Sequence, residues 1–240
     1  LAPGVFSLWI DAPEIAESAA PGQFVSIYTK SEARLLPRPI SICEINRGEK
    51  MMRFVYRVVG EGTEEFSKLS SGDKIEVLGP LGNGFPIPEK KAILIGGGIG
   101  IPPMLALAKA CKERPTVVLG YRDATLFLKE EFDKVADVVI ATDDGSVGTH
   151  GTVIDAMKEK NLTADVICAC GPMPMLRGVK AYGLENEIET YVSMEERMAC
   201  GIGACLGCVC QSTEVDSHSN VHNKRVCKDG PVFLSTEVEL

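Results

Sequence analysis

At 240 residues the chain has room for two compact domains and a small appendage, and 45% hydrophobic against 24% charged residues places it among globular proteins with cores of their own, far from disordered composition. The formal charge of -8 argues against nucleic acid or an anionic membrane as partner, because either needs a basic face. No apolar run approaches the roughly 20 residues of a membrane span, and the first residues lack the basic start of a secretory signal, so the reading is a cytosolic protein.

The chain opens on Leu1 and runs at once into a predicted strand, Val5–Ile10, which reads as a sequence whose natural start lies upstream. Short β-rich runs follow at Phe24–Thr29, Ser41–Ile45, Met52–Val59 and Lys74–Leu78, broken by turns such as Pro21-Gly22 and Ser71-Gly72-Asp73. That spacing predicts an antiparallel barrel or sandwich with one helical stretch, Glu64–Leu69. The rhythm changes at Lys91. Ala92–Ile95 is continuously apolar, Gly96–Gly100 is a glycine turn and Met104–Lys112 is helical, which begins a βαβ unit. Buried strands are predicted at Thr116–Tyr121, Asp137–Thr142, Val166–Cys170 and Glu189–Val192, alternating with helices at Lys129–Lys134, Val153–Lys160 and Met173–Tyr182. Such alternation predicts a parallel sheet covered on both faces. After Met194 regular patterning gives way to cysteine.

Nine cysteines are many for a cytosolic protein, and an odd number fits a closed disulfide framework poorly. Cys200, Cys205, Cys208 and Cys227 follow the spacing C-x4-C-x2-C…C of plant-type [2Fe-2S] ligands. Gly201, Gly203 and Gly207 let the backbone fold closely around inorganic sulfide, and nearby amides then donate to sulfur. Zinc also takes four cysteines, but normally as two CxxC-like pairs, and only Cys205 and Cys208 fit that pattern. Cys210, two residues past Cys208, reads as packing, and His218 and His222 as solvated loop residues.

Arg38-Pro39-Ile40-Ser41 opens a strand, its arginine suited to a diphosphate and its serine to a flavin. Tyr56-Arg57 and Gly60-Glu61-Gly62-Thr63 follow the next strand, where Gly62 and Thr63 offer backbone and hydroxyl donors ahead of a short helix. The turn Gly96–Pro103, with Gly97, Gly98 and Gly100 as candidate contacts, suits a pyrophosphate, although Pro102 stands where a strict GxGxxG has its third glycine. Cys170-Gly171-Pro172-Met173 ends a second apolar strand in the same manner, so two strand ends can line one crevice. Tyr121-Arg122-Asp123 leaves the cofactor choice open, since Asp123 can bind a ribose hydroxyl and repel a 2′-phosphate while Arg122 can accept one.

In this order R-P-x-S, G-x-G-T, GGGIGIPPM and C-G-P resemble the ferredoxin–NADP reductase superfamily. With the tail Met198–Cys208, the chain is similar over nearly its whole length to the electron-transfer subunits of B-type, NAD-linked dihydroorotate dehydrogenase. The resemblance implies an α+β and α/β multidomain chain: an FAD-binding antiparallel β-barrel over 1–88, a parallel-sheet NAD-binding domain over 89–192, and a small [2Fe-2S] domain over 193–240. It implies that Arg38, Pro39, Ile40, Ser41, Val55, Tyr56, Arg57, Gly62 and Thr63 hold FAD and that the four cysteines hold the cluster. Electrons would pass from an FMN-containing catalytic partner, in a heterotetramer of two copies of each subunit, through cluster and FAD to NAD in pyrimidine biosynthesis. Asp216–Asn223 departs from the family pattern as an insertion. A related branch, NADH-dependent ferredoxin:NADP oxidoreductase and its sulfide dehydrogenase relatives, typically carries aspartate at the position of Cys200.

Hydride moves as two electrons and the cluster takes one at a time, so a flavin must stand between them. No side chain is expected to act as an obligatory acid or base, and Cys170 is the candidate to sit beside the reacting rings. Two alternatives stand: a reductase feeding a hydroxylase or ferredoxin, and a metal-binding regulatory module on a vestigial nucleotide fold.

Overall fold

The computed structural model describes residues 1–31, 34–215 and 220–240. The first part of the chain forms β1 (Val5–Asp11), α1 (Pro13–Ser18), β2 (Phe24–Tyr28), β3 (Arg38–Asn46), β4 (Met51–Arg57), α2 (Glu61–Ser67) and β5 (Glu76–Leu81). Its strands make one antiparallel sheet in the order β1-β4-β3-β2-β5. Register shifts between Ile42 and Glu44 and between Phe24 and Ser26 interrupt the ladders; irregularities of this kind increase local twist. Val25, Ile27, Ile42, Met52 and Phe54 bury its core.

The second part contributes β6 (Ala92–Gly97), a 3-10 turn over Gly98–Gly100, α3 (Ile101–Ala110), β7 (Thr116–Tyr121), α4 (Lys129–Asp133), β8 (Asp137–Thr142), β9 (Thr149–His150), α5 (Val153–Glu159), β10 (Val166–Cys170), α6 (Met173–Glu185) and β11 (Glu189–Ser193). Period-two alternation divides the strand residues between two cores. Leu94, Val117, Leu119 and Cys168 pack with α3 and α4 on one side, and Ile93, Ile95, Val118, Ile167 and Ala169 pack with α5 and α6 on the other. The predicted strand bounds hold without change for β7, β8 and β10.

Two helices begin earlier than their sequences suggest. Pro102 and Pro103 occupy the first turn of α3, where a missing N–H costs nothing because those donors have no intrahelical partner. For α2, Thr63 Oγ1 accepts the Gly60 N–H at 3.3 Å and the Val59 N–H at 3.0 Å and donates to the Gly60 carbonyl, so Gly62 and Thr63 lie inside the helix and not ahead of it.

The last part folds as a ribbon of β12 (Val209–Gln211) and β13 (Asn223–Arg225), then β14 (Val232–Leu234). β14 pairs antiparallel with β11, completing a sheet ordered β14-β11-β10-β6-β7-β8-β9 in which the other pairings are parallel. His218 lies outside the described residues, while the carbonyl of His222 accepts the Ser212 N–H at 3.3 Å across the ribbon.

Helix α3 is wedged between the two sheets, and Val5, Cys43, Val55 and Phe85 of the first part join its core. Beside this contact lies a charged hub with no signature in the sequence. Arg53, 6% exposed, reaches from β4 to Glu131 of α4 with contacts of 2.5 and 3.0 Å and to Glu44 at 3.4 Å; Lys109 of α3 meets the same Glu44 at 2.5 Å. Trp9 lies against the guanidinium, 5.6 Å from ring centroid to Cζ. Arg53→Met strips two carboxylates of their shared partner in a poorly solvated seam, so a loss of about 3 kcal/mol is expected. For a chain of this size that lowers the melting temperature by roughly 6–12 °C in calorimetry; an unchanged melt would show the hub to be dispensable.

Candidate functional site

β6 is followed by β7 and β8 on one side, while β10 and β11 lie on the other, so the winding of the sheet reverses between β6 and β10. In open α/β sheets a ligand binds in the crevice outside the strand ends at such a reversal. The two glycine turns singled out in the sequence meet there. Cys170 is in register with Gly96, and a Cβ at Gly100 would run into the carbonyl of Cys170 and stand 2.6 Å from the Gly171 nitrogen. Gly98 has φ +54° and open space where a side chain would be. The Met175 thioether fills the Cβ positions of Gly97 and Gly171.

Cys170 is paired in the ladder with Ser193, and burial pushes its thiol up to about 12, against a hydrogen bond from Ser193 and with a further push from Glu195. At neutral pH it is a protonated S–H and not a nucleophile. At the end of β7 the Asp123 carboxylate accepts the Thr125 N–H at 2.8 Å, which together with the Thr125 side chain holds it below the usual carboxylate range. Asp144, at the end of β8, opposes that shift by like charge. Arg122 adds a cation beside the same carboxylate and lowers it further, so this side of the crevice carries both signs of charge.

In the first sheet, Arg38 and Gly62 come together from distant positions. The guanidinium occupies the space a Cβ at Gly62 would need, and its Nη1 donates to the Leu36 carbonyl. Because the Thr63 hydroxyl is consumed in capping α2, this pair offers an anion a guanidinium and backbone amides but no free hydroxyl. Tyr56 packs inward, its ring 6.2 Å from both Phe6 and Phe66, and burial raises its phenol to about 12. Ile40 joins the same core, whereas Val55 packs toward α3 and Arg57 is exposed. Pro39 and Ser41 are half-buried and stand opposite Ser26 and Phe24 of β2.

The four cysteines predicted as ligands gather from two segments. Left-handed backbone at Gly201 (φ +70°), Gly203 (φ +83°) and Leu206 (φ +58°) curls 200–208 into a loop, a conformation glycine adopts without penalty. The turn 225–230 brings Cys227 over that loop. Backbone amides point at sulfur throughout: Gly203 N–H to Cys227 Sγ at 3.1 Å, Ala204 N–H to Cys200 Sγ at 3.3 Å, Gly207 N–H to Cys205 Sγ at 3.4 Å and Cys227 N–H to Cys208 Sγ at 3.4 Å.

Cys205 is the thiol that acts on Cys200, and Cys208 and then Cys200 are those that act on Cys227, so the four sense one another electrostatically. Among the described residues no three His, Cys, Asp or Glu side chains converge tightly enough to hold one metal ion. Desolvation works against the Cys200 thiolate, yet donors from Ile202, Cys205 and Ala204 pull that thiol down to about 6; burial and its neighbour Cys208 push Cys227 up to about 12. Four thiols with amide donors on every sulfur suit an anionic sulfur-ligated group. Cys210 is buried in the adjoining apolar core.

This loop touches both sheets. Gly201 lies against Ser26 of β2, Asn83 Nδ2 donates to the carbonyls of Lys228 and Asp229 at 3.1 and 3.0 Å, and Cys208 and Cys227 share a core with Phe24 and Phe233. Ser26 and Asn83 carried no signal in the sequence, because each acts only through a partner remote in the chain. Ile202 and Leu206 at the tip of the loop are 55% and 62% exposed.

Residues 195–239 match the family described as the iron-sulfur cluster binding domain of dihydroorotate dehydrogenase B. The chain is 41% identical over 254 residues to the dihydroorotate dehydrogenase B (NAD(+)) electron transfer subunit of Fusobacterium nucleatum, covering 100% of this chain and 95% of that one. The corresponding subunit of Listeria welshimeri is 47% identical over 235 residues, 95% of this chain and 90% of that one. Among solved structures, an NADH-dependent reduced ferredoxin-NADP oxidoreductase superposes with a TM-score of 0.88 at 32% identity, over 99% of this chain and 86% of that one. A ferredoxin NADP+ reductase from Neisseria gonorrhoeae shares the fold, with a TM-score of 0.62 at 18% identity over 76% and 85% of the two chains.

Proposed function

Because this chain belongs to the electron transfer subunits of NAD-linked dihydroorotate dehydrogenase B, we infer that it passes electrons from a dihydroorotate-oxidising partner toward NAD+. The observation that carries this reading is the cysteine loop seated on β2, one strand away from Arg38–Ser41. We assign Cys200, Cys205, Cys208 and Cys227 as the residues that would hold a [2Fe-2S] cluster. The first sheet, residues 1–88, is read as the FAD-binding barrel, with Arg38 and the amides of Gly62 and Thr63 toward the diphosphate and Pro39, Ser41, Val55 and Arg57 beside the flavin. Ile40 and Tyr56 support that surface from the core side.

Residues 89–192 bind NAD at Gly97, Gly98 and Gly100, with Asp123 toward the adenosine ribose and the neutral Cys170 thiol facing the nicotinamide. Residues 193–240 carry the cluster and lend β14 to the nucleotide sheet. When bound, the cluster would carry electrons singly and the flavin would supply the chemistry that collects them in pairs for transfer as hydride. The protein's part is to hold the groups, exclude water and tune their potentials. The partner is an FMN-containing catalytic subunit, two copies of each forming the assembly, which docks over Ile202 and Leu206. No helix among the described residues is long and apolar enough to cross a membrane.

Anaerobically purified protein is expected to contain iron, acid-labile sulfide and flavin, and to reduce NAD+ with dihydroorotate only after the catalytic partner is added. Arg38→Ala should weaken flavin retention roughly 10–100-fold through loss of charge-assisted hydrogen bonds. A second reading, a subunit exchanging electrons with ferredoxin, is favoured by the superposition at TM-score 0.88. Ferredoxin-dependent NAD(P) turnover with no response to dihydroorotate and partner would select it.

A further inference from the structure

The peptide joining Gly203 to Ala204 is engaged at both ends. Its carbonyl accepts from Arg225 Nη1 at 3.2 Å, and its N–H donates to Cys200 Sγ at 3.3 Å. Arg225 is itself gripped by Asp229, through Nε to Oδ2 at 3.1 Å and Nη2 to Oδ1 at 3.2 Å, and the same carboxylate accepts the Arg225 backbone N–H at 2.7 Å. On the other side of Gly203, its own N–H donates to Cys227 Sγ at 3.1 Å, and the Lys228 methylenes fill the space beside its Cα. Carboxylate, guanidinium, peptide and thiol thus form one unbroken chain of hydrogen bonds.

We propose that Arg225, oriented by Asp229, is a positioning residue that sets the reduction potential of the cysteine-bound cluster through the Gly203–Ala204 peptide. The proposal rests on the [2Fe-2S] assignment above. Hydrogen bonds in series polarise one another; a cation on the Gly203 carbonyl makes the Ala204 N–H a stronger donor. Reduction adds one electron and no proton or bond, and the added charge falls partly on the cysteine sulfurs. Donors to sulfur and nearby positive charge therefore favour the reduced state and raise the potential. Asp229 fixes the direction of the guanidinium and also offsets part of its charge. The two residues consequently act with opposite sign, a pattern that a purely mechanical clamp would not produce.

The test is EPR-monitored potentiometry on the anaerobic flavin- and iron-loaded subunit. Arg225→Met is expected to lower the reduced-to-oxidised ratio at a fixed potential about tenfold, which for one electron is about 59 mV. Arg225→Lys should fall between it and the unaltered protein. Asp229→Asn should move the midpoint upward. If Arg225→Met fails to retain iron, Asp229→Asn and Arg225→Lys decide by the same signs. Midpoints that stay put, or that shift in one direction for both charge removals while iron and sulfide remain stoichiometric, would overturn the proposal. Absence of labile sulfide from the unaltered protein would instead remove the cluster assignment, and the proposal with it.

Discussion

Cys208→Ala is expected to yield a subunit without labile sulfide whose partner-dependent delivery of electrons to NAD+ falls roughly 100-fold or more, since outer-shell changes alone cost metal sites 10–100-fold. Cys208 is only 2% exposed, its sulfur accepts the Cys227 N–H, and its carbonyl accepts the Val226 N–H at 3.0 Å, so its position is fixed from three sides. Alanine, unlike serine, offers no replacement donor. The internal control is Cys210→Ala, two residues on and buried in the adjoining core. It should cost about 1 kcal/mol of packing and leave iron and sulfide content unchanged. Sulfide retained in Cys208→Ala, or lost in Cys210→Ala, would reassign the ligands; chemical sulfide analysis and the visible spectrum report both.

Gly100→Val should remove nucleotide binding while sparing flavin and iron. The backbone at Gly100 is in an ordinary right-handed conformation, so the objection to a side chain is spatial: the Cβ would meet the Cys170–Gly171 peptide, which is backbone and cannot swing aside. The ends of β6 and β10 would have to part where the crevice needs them together. Overpacking of this kind costs about 3 kcal/mol, which if taken from affinity is roughly a 100-fold rise in the NAD dissociation constant. Gly98→Ala is the contrasting variant. It meets no neighbour but must adopt φ +54°, and should cost about 1 kcal/mol with far weaker effect on binding. Titration of NADH followed by flavin absorbance measures both. Equal affinities for the two variants would remove the strand-end crevice as the nucleotide site.

Buried parallel strands are legible because both faces are covered, leaving continuous apolar runs such as Thr116–Tyr121 and Val166–Cys170 with little ambiguity about their ends. The cysteine loop is legible because three of its four cysteines are set by local spacing. Helix starts were obscured by residues with two meanings: Pro102 and Pro103 look like breakers and act as first-turn residues, and Thr63 looks like a ligand donor and serves as a capping group. What no local pattern carried is the long-range polar contact. Arg53 would be expected at the surface from its type, and its burial is made tolerable by Glu44, Glu131, Trp9 and the Ser7 hydroxyl, which come from three other elements. The ring contacts of Tyr56 with Phe6 and Phe66 are equally invisible in the sequence, because they join residues of three separate elements.

β11 and β14 are hydrogen-bonded neighbours, which places the departure and return of the intervening segment, 194–231, about 4.8 Å apart. That segment is closed at its base, yet its Cys208, Cys210, Val226 and Cys227 are buried in the same core as Phe24, Ile93 and Phe233. Its replacement by a short hairpin would leave the pairing of β11 with β14 geometrically possible but would strip the cover from those apolar side chains, so sheet and inserted segment stand or fall together.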